Sequence, residues 1–428
     1  MESPQRFSRR LLGMLSARLP EIGLDELEDP RAAKGRLWPY AVLLRLVVVG
    51  LACGIRSFAK LEEFSCELSS SSKKRLGISR RVPDTTMRDL FCLQDPHELR
   101  KGLHKLTRKA HRRKAIEPQG LPFGVVALDG KSTAIPACDD DYAQRQSNEK
   151  RLIGLVRTVT CALVSASAVP CIDAIPIAAK TNEMGTFESA LRSLHHTYRS
   201  LNLFRLVSYD AGACSLYNAN VVRELKLDYL FALKDSQPTL RIEAERLLAS
   251  LGASQAAAHT EDVIGGKNSV IRRVYLTKEM AAFEDWEHLR TVVRIESETL
   301  DKQGKRIAYE NRYYLSSLAQ LALSPKQWLV VVRKHWGVEN NCHHTLDQAF
   351  QEDDHPWMNT NPKAVVSLMI LRRIAYTLST LFRSVTQRSD EQRAIPWDLL
   401  MRRISCALIT ATETTFAGLR IRVLATSV

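Results

Sequence analysis

Phe123-Gly124-Val125-Val126-Ala127-Leu128-Asp129-Gly130-Lys131 decides the fold. The apolar run is short, rich in valine and bounded by glycines, which reads as a buried strand rather than a helix. It closes on a carboxylate. A second run, Leu203-Phe204-Arg205-Leu206-Val207-Ser208-Tyr209, closes the same way on Asp210 and is followed by Ala211-Gly212. An acid at the end of a buried strand is held rigidly and partly shielded from water. Taken singly, each is also what an ordinary turn offers, because Asp caps turns routinely.

Working outward, β-rich runs also occupy 156–166, 171–178 and 229–233. Helical stretches, Glu183 to Leu201 and Ser215 to Leu225, separate the last three strands. The order is three strands, then helix, strand, helix, strand. Such an order predicts a mixed α/β fold, a mixed sheet flanked by helices, and it is the order of the ribonuclease-H-like fold. There the first and fourth strands each supply a carboxylate, and here those strands end at Asp129 and Asp210. A third acid, Glu339, lies in Lys334-His335-Trp336-Gly337-Val338-Glu339-Asn340 at a predicted helix start. Glu339, His343 and Asp347 then fall on one helix face.

The chain has 428 residues, enough for two or three domains, and 45% are apolar, as in globular proteins. Its net charge is +14, unevenly spread. Residues 1–120 hold 24 Lys and Arg against 14 Asp and Glu, and residues 363–428 hold 10 against 4, so the centre is nearly neutral. Basic flanks around a neutral centre fit a polyanion held by the flanks and processed between them. On charge alone, a solvated basic surface without a partner remains open.

Nine cysteines, none in a Cys-x-x-Cys pair, argue against a zinc ribbon and fit reduced thiols in a cytoplasmic protein. Tyr40 to Gly54, the most apolar stretch, is too short to span a bilayer and carries Arg45, so no membrane segment is expected.

Residues 1–118 read as a helical, basic, DNA-binding domain. Pro39 opens a helix through Cys53, Ser57 caps another to Leu68, a Ser run and basic turn cover 69–75, and Asp84 caps a third over Thr85–Gln94. The triplet resembles a helix-turn-helix, and a purely structural bundle fits it equally. Residues 101–114 hold seven Lys and Arg and no acid, either a phosphate-contacting stripe or a solvated helix. Residues 119–385 form the catalytic core. Within it, about 241–320 is a β-rich insertion with strands at 270–276, 291–299 and 307–316 and a turn at Asp301–Lys305. Ser324-Pro325 and Asn361-Pro362 start helices. Residues 386–428 form a partly helical tail.

The chemistry suited to three such acids is phosphoryl transfer. Two divalent cations about 4 Å apart activate an attacking oxygen and stabilise the leaving one. Such hard cations take oxygen ligands. A zinc site built from His335, His343 or His344 would lack a thiol or a third well-spaced histidine.

Four sequence blocks carry a family resemblance. They are Leu128-Asp129-Gly130-Lys131; Lys180-Thr181-Asn182-Glu183; Tyr209-Asp210-Ala211 with Tyr229-Leu230-Phe231-Ala232-Leu233-Lys234; and Arg333-x-His335-Trp336-x-Val338-Glu339-Asn340-x-x-His343 with Leu346-Asp347, Phe350 and Glu352-Asp353. In this order they resemble the H-repeat-associated family of bacterial insertion-sequence transposases, of the DDE group. Asp29-Pro30-Arg31, Gly35-Arg36, Pro39 and Gly54-Ile55-Arg56-Ser57-Phe58 resemble that family's associated helical domain. The likeness covers about residues 25–385. It departs from the family in lacking an Arg soon after Asp129 and in His344, where the family usually has Trp.

The resemblance implies that Asp129, Asp210 and Glu339 are the catalytic acids and hold two Mg²⁺ or Mn²⁺ ions. It implies nicking of double-stranded DNA by water, then attack of the freed 3′-hydroxyl on target DNA, by a homodimer in the bacterial cytoplasm, nucleoid-associated when bound to DNA. DNA-contact candidates are Lys131, Lys180, Lys234 and Arg333 for phosphates, Trp336 for stacking on a flipped base, and His343 for phosphate or for orienting a ligand. Exposed lysine and a packed core tryptophan are the plainer readings of the same residues. Two other functions fit the sequence: a former transposase that now only binds DNA, and a stand-alone metal-dependent nuclease.

Overall fold

The computed structural model describes residues 4–148, 151–265 and 268–417. Six helices precede the sheet: α1 (Pro4–Arg18), α2 (Tyr40–Ala52), α3 (Phe58–Glu67), α4 (Ser70–Leu76), α5 (Asp84–Leu93) and α6 (Pro96–Arg112). α2 is apolar except for Arg45 and is buried along its whole length, with Arg45 paired to Asp25. The Ser57 hydroxyl caps α3 by accepting from Lys60 N at 3.2 Å. α6 buries Leu99, Leu103, Leu106 and Ala110 at helical spacing, while Lys101, Arg108, Lys109 and Arg112 stay exposed.

Two local expectations fail here. The Ser run and basic turn at 69–75 are helical, because Ser69 caps the segment and Gly77, at φ +80°, ends it. Asp84 is not the N-cap of α5 but its first residue. Pro83 holds the cap position, and the Asp84 carboxylate takes Arg88 one turn on, at 3.0 Å.

Among the described residues, ten strands follow: β1 (Val125–Pro136), β2 (Ala143–Asn148), β3 (Arg151–Leu163), β4 (Cys171–Ile177), β5 (Leu206–Tyr209), β6 (Asp228–Leu233), β7 (Ala258–Ile264), β8 (Asn268–Thr277), β9 (Thr291–Leu300) and β10 (Arg306–Ser316). They form one sheet in the order β2-β3-β1-β5-β6-β10-β9-β8-β7, with β4 also on β3. β1 pairs antiparallel with β3 and parallel with β5, and β5 pairs parallel with β6. This is the expected mixed α/β architecture. The predicted fourth strand is β5 in chain order, because the polar strand β2 was not foreseen. β7 was also unforeseen. The β-rich insertion is no separate layer, since β10 pairs with β6 and carries the sheet onward.

Asp129 does not end its strand. β1 continues to Pro136, paired with β3 from Asp129↔Thr160 to Pro136↔Ile153. Thr133 and Ile135 turn inward on alternate positions, so polar neighbours did not stop the pairing.

Helices cover both faces. α7 (Glu183–Tyr198), α8 (Leu216–Glu224) and α9 (Pro238–Leu248) pack with Val126, Leu128, Val207 and Tyr229. On the other face, α10 (Pro325–His335) brings Trp328, Leu329, Val331 and Val332 against Val125, Ala127, Leu206 and Leu230. Neighbouring residues of β1 thus feed opposite cores. Ser324 and Gln327 cap α10 reciprocally, with Pro325 at its first position. After α10 come a π-helical segment (Val338–His343), α11 (His344–Gln348), α12 (Pro362–Leu381), α13 (Asp390–Arg393), α14 (Trp397–Thr410) and α15 (Glu413–Phe416). α12 is long and apolar enough to cross a membrane, yet all of it but Lys363 is buried, packed on α2, α5 and α6. The helices before residue 107 therefore share one core with α12 and α14.

Candidate active site

The three expected acids come from three elements and line one cleft. Asp129 rises half-buried from β1. Asp210 follows β5 directly, exposed, and its Oδ1 accepts the Gly212 N–H at 2.8 Å, which fixes the carboxylate against the following turn. Glu339 sits exposed in the π-helical segment after α10. The cleft has a volume of about 370 Å³, and Lys234, Arg312, His335 and Trp336 also line it.

A π-helical turn carries an extra residue per turn and shifts the faces that follow, a device frequent at functional sites. Beyond it, His343 and Asp347 meet β1. His343 Nδ1 lies 3.1 Å from Asp129 Oδ2, and Lys131 Nζ lies 2.7 Å from Asp347 Oδ1. One helical turn of about 5.4 Å thus matches two strand residues at about 3.3 Å each. The His343 ring is buried, and its Nε2 has no hydrogen-bond partner among the described residues. The Nδ1 side therefore carries the ring's contact to Asp129.

His335 stands under the cleft with Nδ1 2.8 Å from Ser208 Oγ. Burial pushes its imidazole down to about 4, against the opposing charges of Asp129 and Asp210, so it is neutral at pH 7. Glu183, the first residue of α7, brings a further carboxylate. Its Oε1 accepts the Gly130 N–H at 2.9 Å and the Tyr209 hydroxyl. Burial holds the Glu183 carboxyl above its usual range, and the nearby charges of Asp129 and Asp210 add to the rise, while the Tyr209 and Gly130 bonds oppose it.

The contact candidates are distributed unevenly. Lys234 is exposed and faces the cleft. Lys180 is exposed in the turn before α7. Lys131 is instead held between Asp347 and Asp353, at 2.7 and 2.6 Å, and its side chain is only 11% exposed. Arg333 is paired with Asp262 of β7 at 3.1 Å. The Trp336 ring carries the Arg312 guanidinium 4.4 Å from its centre, so one face is already covered.

Among the described residues, no three His, Cys, Asp or Glu side chains stand close enough to hold a metal ion as they are. The donor chemistry nonetheless suits a hard divalent cation, with three carboxylates on one cleft and surplus negative charge beside it.

Residues 23–107 match the DDE_Tnp_1-associated family, and residues 122–378 match the transposase DDE domain family. The chain belongs to the transposase DDE domain family. It is 23% identical over 323 residues to the putative protein YbfL of Escherichia coli strain K12, covering 73% of this chain and 78% of that one. It is 24% identical over 324 residues to the H repeat-associated putative transposase YhhI of the same strain, with the same coverage. A putative transposase of E. coli O157:H7, YncI, is 25% identical over 171 residues, 38% of this chain and 43% of that one. The resemblance to the H-repeat-associated transposases is thereby borne out. The family match begins just before β1 and ends within α12, so it spans all ten strands and the cleft.

Glu183 and Arg312 were not singled out from sequence as parts of the site, and His335 entered only within the Glu339 block and as a zinc candidate. The Lys180–Glu183 block was visible as the opening of a helix, and its last residue is the signal that could have found Glu183. No sequence signal marked Arg312, which reaches the cleft from the insertion.

Proposed function

We propose that the protein is a DDE transposase that nicks DNA at the ends of an insertion sequence and joins the freed ends to target DNA. The observation that supports this best is the convergence of Asp129, Asp210 and Glu339, from a strand, a strand end and a helical turn, on one cleft. Asp129, Asp210 and Glu339 would hold Mg²⁺ or Mn²⁺. When bound, two such ions lower the pKa of the attacking water or 3′-hydroxyl and offset charge on the leaving oxygen.

The remaining work falls to the chain. His343 orients Asp129 from behind, as outer partners of ligating carboxylates do. The Gly212 N–H does the same for Asp210. Lys234 faces the phosphate, and Arg312 on Trp336 forms the wall against which the strand lies. Each step forms one phosphorus–oxygen bond as another breaks, and no phosphoryl group is attached to the protein. The exposed cations of α6 contact the duplex through its phosphates. The protein works as a homodimer on paired DNA ends in the bacterial cytoplasm.

The test is to incubate the full chain with Mg²⁺ and DNA bearing the sequences that flank its gene. Nicks at the element's ends, followed by joining into a second DNA, are expected. Cutting of any DNA without joining would make it a nuclease. Binding without cutting would make it a DNA-binding descendant of a transposase.

A further inference from the structure

We propose that Glu183 is a positioning residue that sets the spacing of Asp129 and Asp210. This rests on the reading that those two acids act as a pair. β1 and β5 are parallel neighbours, but their pairing stops at Ala127↔Ser208, before either acid. No sheet hydrogen bond between the two strands therefore holds Asp129 and Asp210 in register. Glu183 spans that gap. Its Oε1 accepts from the backbone N–H of Gly130, the residue after Asp129, and from the hydroxyl of Tyr209, the residue before Asp210.

Both ends of this bridge are built for it. A Cβ at Gly130 would stand 1.9 Å from Glu183 Oε2, so any larger residue there would push the carboxylate out of the position from which it takes the Gly130 N–H. Phe187, one turn along α7, packs edge-on to the Tyr209 ring at 5.2 Å and keeps it beside the helix. Asn182 caps α7 by accepting from Gly185 N at 2.8 Å, so the helix start that carries Glu183 is itself fixed. The action of Glu183 passes through hydrogen bonds its carboxylate accepts, not through contact with DNA.

Mn²⁺ titration of the full chain, followed by the electron paramagnetic resonance of the free ion, tests this without any DNA. Loss of an outer partner typically weakens metal affinity about 10- to 100-fold, and that is expected for Glu183→Ala. Glu183→Gln keeps an oxygen that accepts both bonds, so its affinity should stay within about threefold of wild type. Gly130→Ala should weaken binding like Glu183→Ala, and the double variant should be no weaker than either single one. If Glu183→Ala fails to fold, Tyr209→Phe decides: a several-fold loss supports the bridge, and an unaltered affinity overturns it. Gln as weak as Ala would overturn the proposal, because charge rather than bridging would then matter. Asp129→Asn is the control. Binding that ignores Asp129→Asn sinks the cation reading and this proposal with it. Binding that needs Asp129 but ignores Glu183→Ala sinks this proposal alone.

Discussion

Asp173 and Asp129 lie on neighbouring parts of one sheet and are treated in opposite ways. Asp173, on β4, is fully buried and fully matched. Arg100 of α6 grips it with two bonds at 2.9 and 2.8 Å, His104 Nε2 lies at 3.0 Å, and its own strand adds the Ala174 N–H at 2.8 Å. Burial alone would raise the Asp173 carboxyl, but the His104 and Arg100 charges and hydrogen bonds outweigh it and hold the group well below its usual range. Around Asp129 the balance is reversed. Asp210, Glu183 and Glu339 stand near, while Lys131 is taken up by Asp347 and Asp353. A carboxylate matched by arginine ties two elements together. Among the described residues, Asp129 is held by His343 alone and no Arg or Lys pairs with Asp129, Asp210 or Glu339, so these carboxylates are available to bind a metal cation.

Substitutions that separate the two roles test this contrast. The largest effect is expected at the cleft. Asp129→Asn and Asp210→Asn should each lower Mg²⁺-dependent nicking by at least about 10³-fold, the rate equivalent of several kcal/mol of lost charge stabilisation. Their thermal stability should stay close to wild type, because neither acid is matched by an arginine. An Asn variant that nicks at near wild-type rate, or that unfolds, would erase the contrast.

Next comes the buried site. Asp173→Asn should cost about 3–5 kcal/mol in denaturant unfolding, because it leaves Arg100 buried without its counter-charge. Asp173 also sets a pH dependence. Its folded pKa lies below the ordinary 3.8, so its stabilisation is complete above about pH 4 and drains away as the pH falls below that value. The wild type should therefore lose stability in that acid window more steeply than Asp173→Asn. Parallel acid curves would contradict the assignment.

A smaller effect is expected at His343, which touches Asp129 without facing the cleft. His343→Ala should weaken Mn²⁺ affinity by about 10- to 100-fold, the usual range for an outer partner, while Glu339 and Asp210 remain in place. Isothermal titration of the full chain would read it, and an unchanged affinity would remove His343 from the site.

Most of the central sheet was legible because its strands are apolar runs between turn residues. β2 and β7 escaped notice because they lie at the two ends of the sheet and carry polar, partly exposed side chains such as Gln144, Gln146, Thr260 and Asp262. α4 was hidden by a serine run whose first member turned out to be a cap. The strand order fixed where two acids belong, and the His335-Trp336-x-Val338-Glu339 block picked out the third. The register by which His343 and Asp347 meet Asp129 and Lys131 depends on the π-helical turn, for which no sequence pattern was available. Arg312 enters the picture only through folding, from a segment more than 100 residues away from Asp129 and Asp210, and the pairing of Asp353 with Lys131 likewise depends on the fold, although its block was visible in sequence.

Glu339 carries the central claim, because only the motif and the shared cleft, and no strand end, assign it. Mg²⁺-dependent nicking of terminal DNA should be compared between the full-length wild type and Glu339→Gln at saturating protein, with DNA binding measured on the same samples. Loss of nicking with unchanged binding is the predicted result. Nicking by Glu339→Gln within a few-fold of wild type would contradict the three-acid site.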